Sequence, residues 1–268
     1  MRSITKAILL SAGQGKRLSP LTKDRPKCLI KINNITIIEH QINALNKSGI
    51  KDIIIVTGFK SVTVENYVNS IYGNLDLNIK FCYNPFYQVS DNLATCWITR
   101  EEFNSDFLII NGDDIFESSL IEKLLSTNLS YITVAVNIKN KYDEDDMKVI
   151  SDTKNNKLIE VGKHIDHNRA NGEAIGIHLF RGKGTKLFKE TVEKLMRDPS
   201  GLKKWYLSAI DMLAKKDIVS IYNVSDYKWC EIDFPTDLNK AEELVKKIES
   251  STHDKYEKYK RSTEDKGN

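Results

Sequence analysis

The chain is poor in the features that mark several protein classes. Its 268 residues hold four cysteines, Cys28, Cys82, Cys96 and Cys230, none at CxxC spacing and none beside a histidine cluster. That pattern excludes a zinc finger or a disulfide scaffold and points to a reducing compartment. No apolar run approaches the ~18 residues of a membrane span. The N-terminal apolar run, residues 7–10, is too short for the core of a secretion signal. A soluble, cytoplasmic protein with no membrane partner is therefore expected. Charge of one sign is missing too. Forty Lys and Arg face 37 Asp and Glu, for a net charge of +3. Such a balance supplies no broad basic field, and no nucleic-acid partner is expected. There is no internal repeat. Residues 249–268 contain no Val, Leu, Ile, Met, Phe or Trp. They cannot build a core, and a disordered or frayed tail is expected there.

What is present is enough for one α/β domain. A chain of this length buries roughly 70–75% of its unfolded surface without staples. Residues 7–10 and the continuous apolar run 53–56 have strand length, and runs of that kind are buried on both faces of a sheet. Between them Ile38, Ile42 and Leu45 recur at i, i+4, i+7, with Gly49 placed as a C-terminal cap. A helix near 62–71, a strand near 79–83, a helix near 91–103 and a strand at 107–110 continue the alternation. This order predicts a three-layer α/β/α sandwich around a mixed, mainly parallel sheet. Beyond residue 130 the texture changes to strands at 133–138, 147–150, 157–161 and 174–180. Helical sequence follows over 183–216, then a strand near 218–224 and a helix from Pro235 to about residue 248. The expectation is one domain over 1–248, with halves at 1–130 and 131–248.

The loop after the first strand reads Ser11-Ala12-Gly13-Gln14-Gly15-Lys16-Arg17. Two glycines let backbone N–H groups approach an anion, and Lys16 and Arg17 add charge. An ordinary tight turn is an equal reading of a bare Gly-x-Gly. A P-loop needs Ser or Thr after Gly15-Lys16, where Arg17 stands. A dinucleotide fingerprint needs a small residue where Leu18 stands. Farther on, Asp113 and Asp114 follow a strand whose C-terminal end faces the crevice where α/β proteins bind ligands. Asp113 alone also fits an Asx turn.

The longer string is more specific. Ser11 to Thr22, followed by Arg25-Pro26-Lys27-Cys28-Leu29, resembles the signature G-x-G-x-R-x-x-P-x-T…P-K. That signature belongs to the nucleotidylyltransferases that make nucleotide-activated sugars and alcohols. Trp229-Cys230-Glu231-Ile232-Asp233-Phe234-Pro235 resembles the same family's late acidic element. The resemblance implies a triphosphate held by Ser11, Ala12, Gly13, Gly15, Lys16 and Arg17. It implies catalytic roles for Arg17 and Lys27, and one Mg²⁺ on Asp113 and Asp233. Asp114 and Glu231 would be spare or outer carboxylates. Mg²⁺ chemistry agrees, since the ion takes one or two protein carboxylates and completes its shell with water and phosphate.

The string Ser90-Asp91-Asn92-Leu93 resembles the phosphocholine and phosphonate cytidylyltransferase branch. Asn92 would contact base or ribose, or cap the following helix. On the acceptor side the resemblance offers Lys163 and Glu173, and the residues themselves add Lys148, Trp205 and Asp211. Lysines suit a phosphoryl group, aromatic faces suit a quaternary ammonium, and a carboxylate suits an amine. Each of these also reads as an ordinary surface or core residue. The expected substrates are CTP and a small phosphonate or phosphate, such as 2-aminoethylphosphonate or phosphocholine, with pyrophosphate released. A sugar- or inositol-1-phosphate nucleotidylyltransferase is the nearest alternative. A non-catalytic nucleotide-sensing subunit is another, although Arg17, Lys27, Asp113 and Asp233 are all present. The sequence leaves a homodimer open.

Overall fold

A computed structural model describes residues 4–264. The first half contributes β1 (Lys6–Leu10), the hairpin β2 (Lys31–Ile32) and β3 (Ile35–Thr36), then α1 (Ile37–Lys47) and β4 (Asp52–Thr57). It continues through α2 (Ser61–Tyr72), β5 (Asn78–Tyr83), α3 (Asn92–Ile98), β6 (Phe107–Asn111), β7 (Asp114–Phe116) and α4 (Ser118–Ser126). The second half adds β8 (Ile132–Asn137), β9 (Lys148–Asp152), β10 (Lys157–Val161) and β11 (Gly172–Phe180). It closes with α5 (Lys183–Met196), α6 (Leu207–Ala214), β12 (Val219–Asn223), β13 (Trp229–Glu231) and α7 (Pro235–Glu264).

Nine strands form one sheet in the order β5-β4-β1-β6-β11-β8-β12-β10-β9. The block β5-β4-β1-β6 is parallel throughout, and β8 and β12 pair in parallel. The strands β11 and β10 run antiparallel to their neighbours, so seven of the nine strands share a direction. The sheet is mixed and mainly parallel, as the sequence predicts.

Period-two alternation sorts the central strands onto two cores. Ile8, Ile54, Val56 and Ile109 face one core, completed by Leu93 and Cys96 of α3, Phe188 of α5 and Ile210 of α6. Ala7, Leu9, Ile53, Ile55, Leu108 and Ile110 face the other, completed by Ile42 of α1, Val68 of α2 and Leu124 of α4. Helices therefore cover both faces, and the sandwich has three layers. Each fully buried Ile or Leu contributes about 1.5–3 kcal/mol, so the two faces together outweigh any single polar contact.

Local signals work as the residues dictate. Thr36 and Glu39 form a capping box at the start of α1, and Gly49 takes φ +83 just past its end. Several elements differ from expectation, among them the short strands β2, β3, β7 and β13, which the sequence reading did not identify. The segment 118–126 forms α4, which the sequence reading did not identify. The tail expected to fray from residue 249 instead continues α7 to Glu264. No Gly or Pro interrupts residues 236–264, so nothing stops the helix. Residues 265–268 of that tail lie outside the described residues. Among the described residues no helix is long and apolar enough to cross a membrane.

Candidate active site

The parallel register builds the site. Leu10 of β1 pairs with Asn111 of β6, so the glycine loop and the Gly112-Asp113 turn leave the sheet at the same edge. They come close: the Gly112 N–H donates to the Leu10 carbonyl at 3.2 Å. A β-carbon on Gly112 would sit 2.7 Å from that carbonyl oxygen, so only glycine fits there. The late acidic element arrives by a separate ladder. The strands β7 and β13 pair antiparallel, with Glu231 opposite Asp114. The Ile232 N–H then donates to the Asp113 carbonyl at 3.1 Å. Two short strands thus bring residues 113 and 233 to one point.

That point is the floor of a cleft of about 970 Å³. Oxygens of Asp113, Glu231 and Asp233 lie within 4.8 Å of one another. The Lys27 ammonium donates to Asp113 Oδ2 and Asp233 Oδ1, each at 2.7 Å. Burial disfavours its charge, but the two carboxylates outweigh burial and raise its pKa. Arg17 donates to Asp233 Oδ2, lies 3.7 Å from Asp145 and covers the Phe234 ring at 4.9 Å. Burial, then the charges of Asp113 and Asp233, push Glu231 up to about 8. Asp114 is buried beneath the cluster, and burial first and Asp113 second raise its pKa far above the carboxylate range. Hard oxygen donors in this number fit Mg²⁺. Asp113 Oδ1, buried and without a hydrogen-bond partner, is an unclaimed oxygen ligand at the same point.

Gln41 was absent from the sequence reading. It reaches from α1, fully buried, and donates to the carbonyls of Asn111 and Asp114 at 2.7 and 2.9 Å. It clamps both ends of the turn that carries Asp113. A buried amide on an otherwise apolar helix face is the one signal that could have found it.

The other expected residues divide. Ala12, Gly13 and Gly15 line the cleft, with Gly15 at φ +73. Ser11 is buried and Lys16 exposed, and neither lines the cleft wall. Asn92 lines it, but its side chain does not cap α3; its carbonyl oxygen accepts from the Tyr206 N–H at 2.9 Å. On the far wall Lys163 lies 5.2 Å over the Trp205 ring and 3.3 Å from Asp145. Glu173 pairs with Lys139 at 2.9 Å, and Lys139 also pairs with Asp146 at 2.8 Å. Lys139 and Asp146 extend the expected acceptor wall.

Two expected acceptor residues are elsewhere. Lys148 is 3% exposed, and its ammonium donates to the carbonyls of Asp143 and Glu144. Loop carbonyls within reach of the first residue of β9 hold it inside. Asp211 accepts from the Val161 N–H at 3.1 Å and pairs with Lys215 one turn along α6. The packing of α6 on β10 turns it away from the cleft.

Residues 6–165 match the Nucleotidyl transferase family. The chain belongs to that family. Among curated relatives, this nucleotidyl transferase is 27% identical to a CTP:phosphoglutamine cytidylyltransferase of Campylobacter jejuni, over 87% of this chain and 97% of that protein. It is 32% identical to a choline-phosphate cytidylyltransferase of Streptococcus pneumoniae, over 48% of this chain and 53% of that protein. The fold is shared with the inositol-1-phosphate CTP transferase of T. maritima, with a TM-score of 0.77 at 21% identity over 92% of this chain and 97% of that one.

Proposed function

We propose that this nucleotidyl transferase moves CMP from CTP to a small phosphate or phosphonate acceptor that also carries a positive group. One observation carries the reading: two cations, Arg17 and Lys27, and three carboxylates meet where the glycine loop ends. An acceptor oxygen attacks the α-phosphorus of CTP, the new O–P bond forms, and the bond to the β-phosphate oxygen breaks. Pyrophosphate leaves with the electron pair. A phosphate acceptor with a second pKa near ~6 is mostly dianionic at pH 7 and needs no general base. The chain's task is positioning and charge stabilisation. Gly13 and Gly15 bring backbone to the triphosphate, Arg17 steadies the departing pyrophosphate, and Lys27 follows the charge on the reacting phosphates. Asp113, Glu231 and Asp233 would hold Mg²⁺, which supplies charge neutralisation between carboxylates and phosphates.

The charge balance of the cleft supports both the ion and the acceptor class. Nine carboxylates and five cationic side chains line it. A triphosphate entering such a surface needs counter-cations. On the acceptor wall Asp143, Asp145, Asp146 and Glu173 surround Lys139 and Lys163. The lysines suit the phosphoryl group, and the surplus carboxylates suit an ammonium on the same molecule. The similarity at nearly full length to a CTP:phosphoglutamine cytidylyltransferase supports CTP as the donor.

The test is pyrophosphate release by the purified chain with CTP, UTP, GTP, ATP and dTTP against three acceptors. Turnover should be fastest with CTP and with phosphocholine or 2-aminoethylphosphonate. A preference for glucose-1-phosphate refutes the acceptor class and leaves nucleotidyl transfer standing.

A further inference from the structure

We infer that Lys27 is a built-in counter-cation that occupies the carboxylate site until a triphosphate draws it away, so that nucleotide and divalent cation bind with positive coupling. The inference rests on the nucleotidyl-transfer reading and concerns how that site is opened.

The geometry is a competition for the same oxygens. The Lys27 ammonium sits 2.7 Å from Asp113 and 2.7 Å from Asp233, between two of the three carboxylates whose oxygens converge. A divalent cation on those oxygens and an ammonium in contact with them repel at close range, in a cleft floor where water screens poorly. One must leave before the other binds well. Arg17 holds the second oxygen of Asp233, so both carboxylate oxygens of that residue carry protein cations.

Lys27 is built to move. Its charge rides on a four-carbon stem with free torsions, unlike the rigid fork of arginine. The stem lies against Gly15, where a β-carbon would stand 2.9 Å from both Lys27 Cβ and Cδ. The backbone offered to the phosphates therefore touches the residue that must be displaced. A triphosphate in that loop gives Lys27 and Arg17 new anionic partners within reach of side-chain rotation. Their departure bares Asp113 and Asp233 together. Because coupling is reciprocal, the cation strengthens nucleotide binding by the same factor by which nucleotide strengthens cation binding.

A purely structural Lys27 predicts the opposite result on removal. Three carboxylates without a counter-cation would destabilise the site and bring no gain elsewhere. The experiment measures Mn²⁺ binding to the nucleotide-free chain by electron paramagnetic resonance, in wild type, Lys27→Met, Lys27→Arg and the double variant Lys27→Met with Asp233→Asn. Lys27→Met should bind one Mn²⁺ at least tenfold more tightly than wild type. Lys27→Arg should stay within about threefold of wild type because the charge remains, and the double variant should lose the gain. If Lys27→Met is too unstable for titration, the thermal midpoint is read with and without Mn²⁺, and Mn²⁺ should raise it more than in wild type. Equal or weaker binding by Lys27→Met, or no larger thermal shift, overturns the inference while an Asp233-dependent site in wild type keeps the function reading. Absence of any Asp233-dependent Mn²⁺ site in every form overturns both.

Discussion

Asp113 and Asp114 are neighbours in sequence, yet their surroundings differ. Asp113 pairs with the Lys27 ammonium, whereas Asp114 is 1% exposed and its Oδ2 has no hydrogen-bond partner. Burial, followed by the charges of Asp113 and Glu231, raises the Asp114 pKa far above normal. A carboxyl that is protonated when folded and ionised when unfolded makes folding take up a proton. Its contribution to stability is fully present below the unfolded pKa near ~3.9, and is lost as pH rises toward the folded pKa. Each pH unit between the unfolded and the folded pKa removes about 1.4 kcal/mol. Asp114→Asn cannot titrate and escapes this loss. Its amide leaves one buried N–H unpaired at a cost of about 1–3 kcal/mol, independent of pH.

The prediction concerns the slope. Whatever its stability at pH 5, the variant's stability relative to wild type should climb with pH. For a chain of this size about 1 kcal/mol moves the midpoint by roughly 2–4 °C, so the difference in Tm should shift by about 3–6 °C per pH unit across that window. Thermal denaturation of both forms in EDTA, followed by circular dichroism, reads it directly. Glu231 is itself pushed up to about 8 and its charge acts on Asp114, so the comparison is repeated in a Glu231→Gln background, where the climb should persist. A Tm difference that stays constant from pH 5 to 8 would refute the reasoning, because Asp114 would then be ionised in the folded chain.

Three further outcomes are expected. Asp113→Asn and Asp233→Asn should each cut pyrophosphate release on the order of a hundredfold or more while circular dichroism stays native, because an amide replaces an anionic oxygen aimed at the metal; unchanged activity at limiting Mg²⁺ would remove that residue from the site. Gly15→Ala should lose about 1–3 kcal/mol of stability and raise KM for CTP, since φ +73 strains any β-carbon and the Lys27 stem lies in its way; a wild-type KM would place the phosphates elsewhere. Gln41→Leu strips the carbonyls of Asn111 and Asp114 of their donor, so a Tm loss equivalent to about 2–4 kcal/mol and a lower kcat are expected in thermal melts and steady-state assays.

The nucleotide half was legible because its pattern and its geometry are the same fact. Parallel strands buried on both faces read as short apolar runs, and such strands end together, so whatever follows them lies at one edge. That is why the glycine loop after Leu10 and the Gly112-Asp113 turn after Asn111 each read as a strand-end feature, although the family resemblance was needed to join them in one site. Asp233 was found only through its resemblance to a known element. The ladder that brings it in, three residues of β7 on three of β13, is too short to show a period. Helix α4 went unread for a related reason: two turns and a half leave little periodicity to detect.

The acceptor half was legible in its elements but not in its side chains. Lys139 and Lys148 are the same residue type nine positions apart, and the sequence reading selected only Lys148. Lys139 lies two residues beyond the end of β8, and opposing carboxylates on Asp146 and Glu173 draw it to the wall. Lys148 opens β9, where it is buried beside Val149 and the carbonyls of Asp143 and Glu144 accept from its ammonium. A buried lysine needs donors answered somewhere, and loop carbonyls answer them as well as a substrate phosphate would. Asp211 illustrates the same competition with the sign reversed, because the Val161 N–H and Lys215 claim its oxygens first. On the proposed function, specificity for an acceptor would follow from which charged side chains the fold leaves unsatisfied by its own backbone, and a linear sequence does not display that remainder.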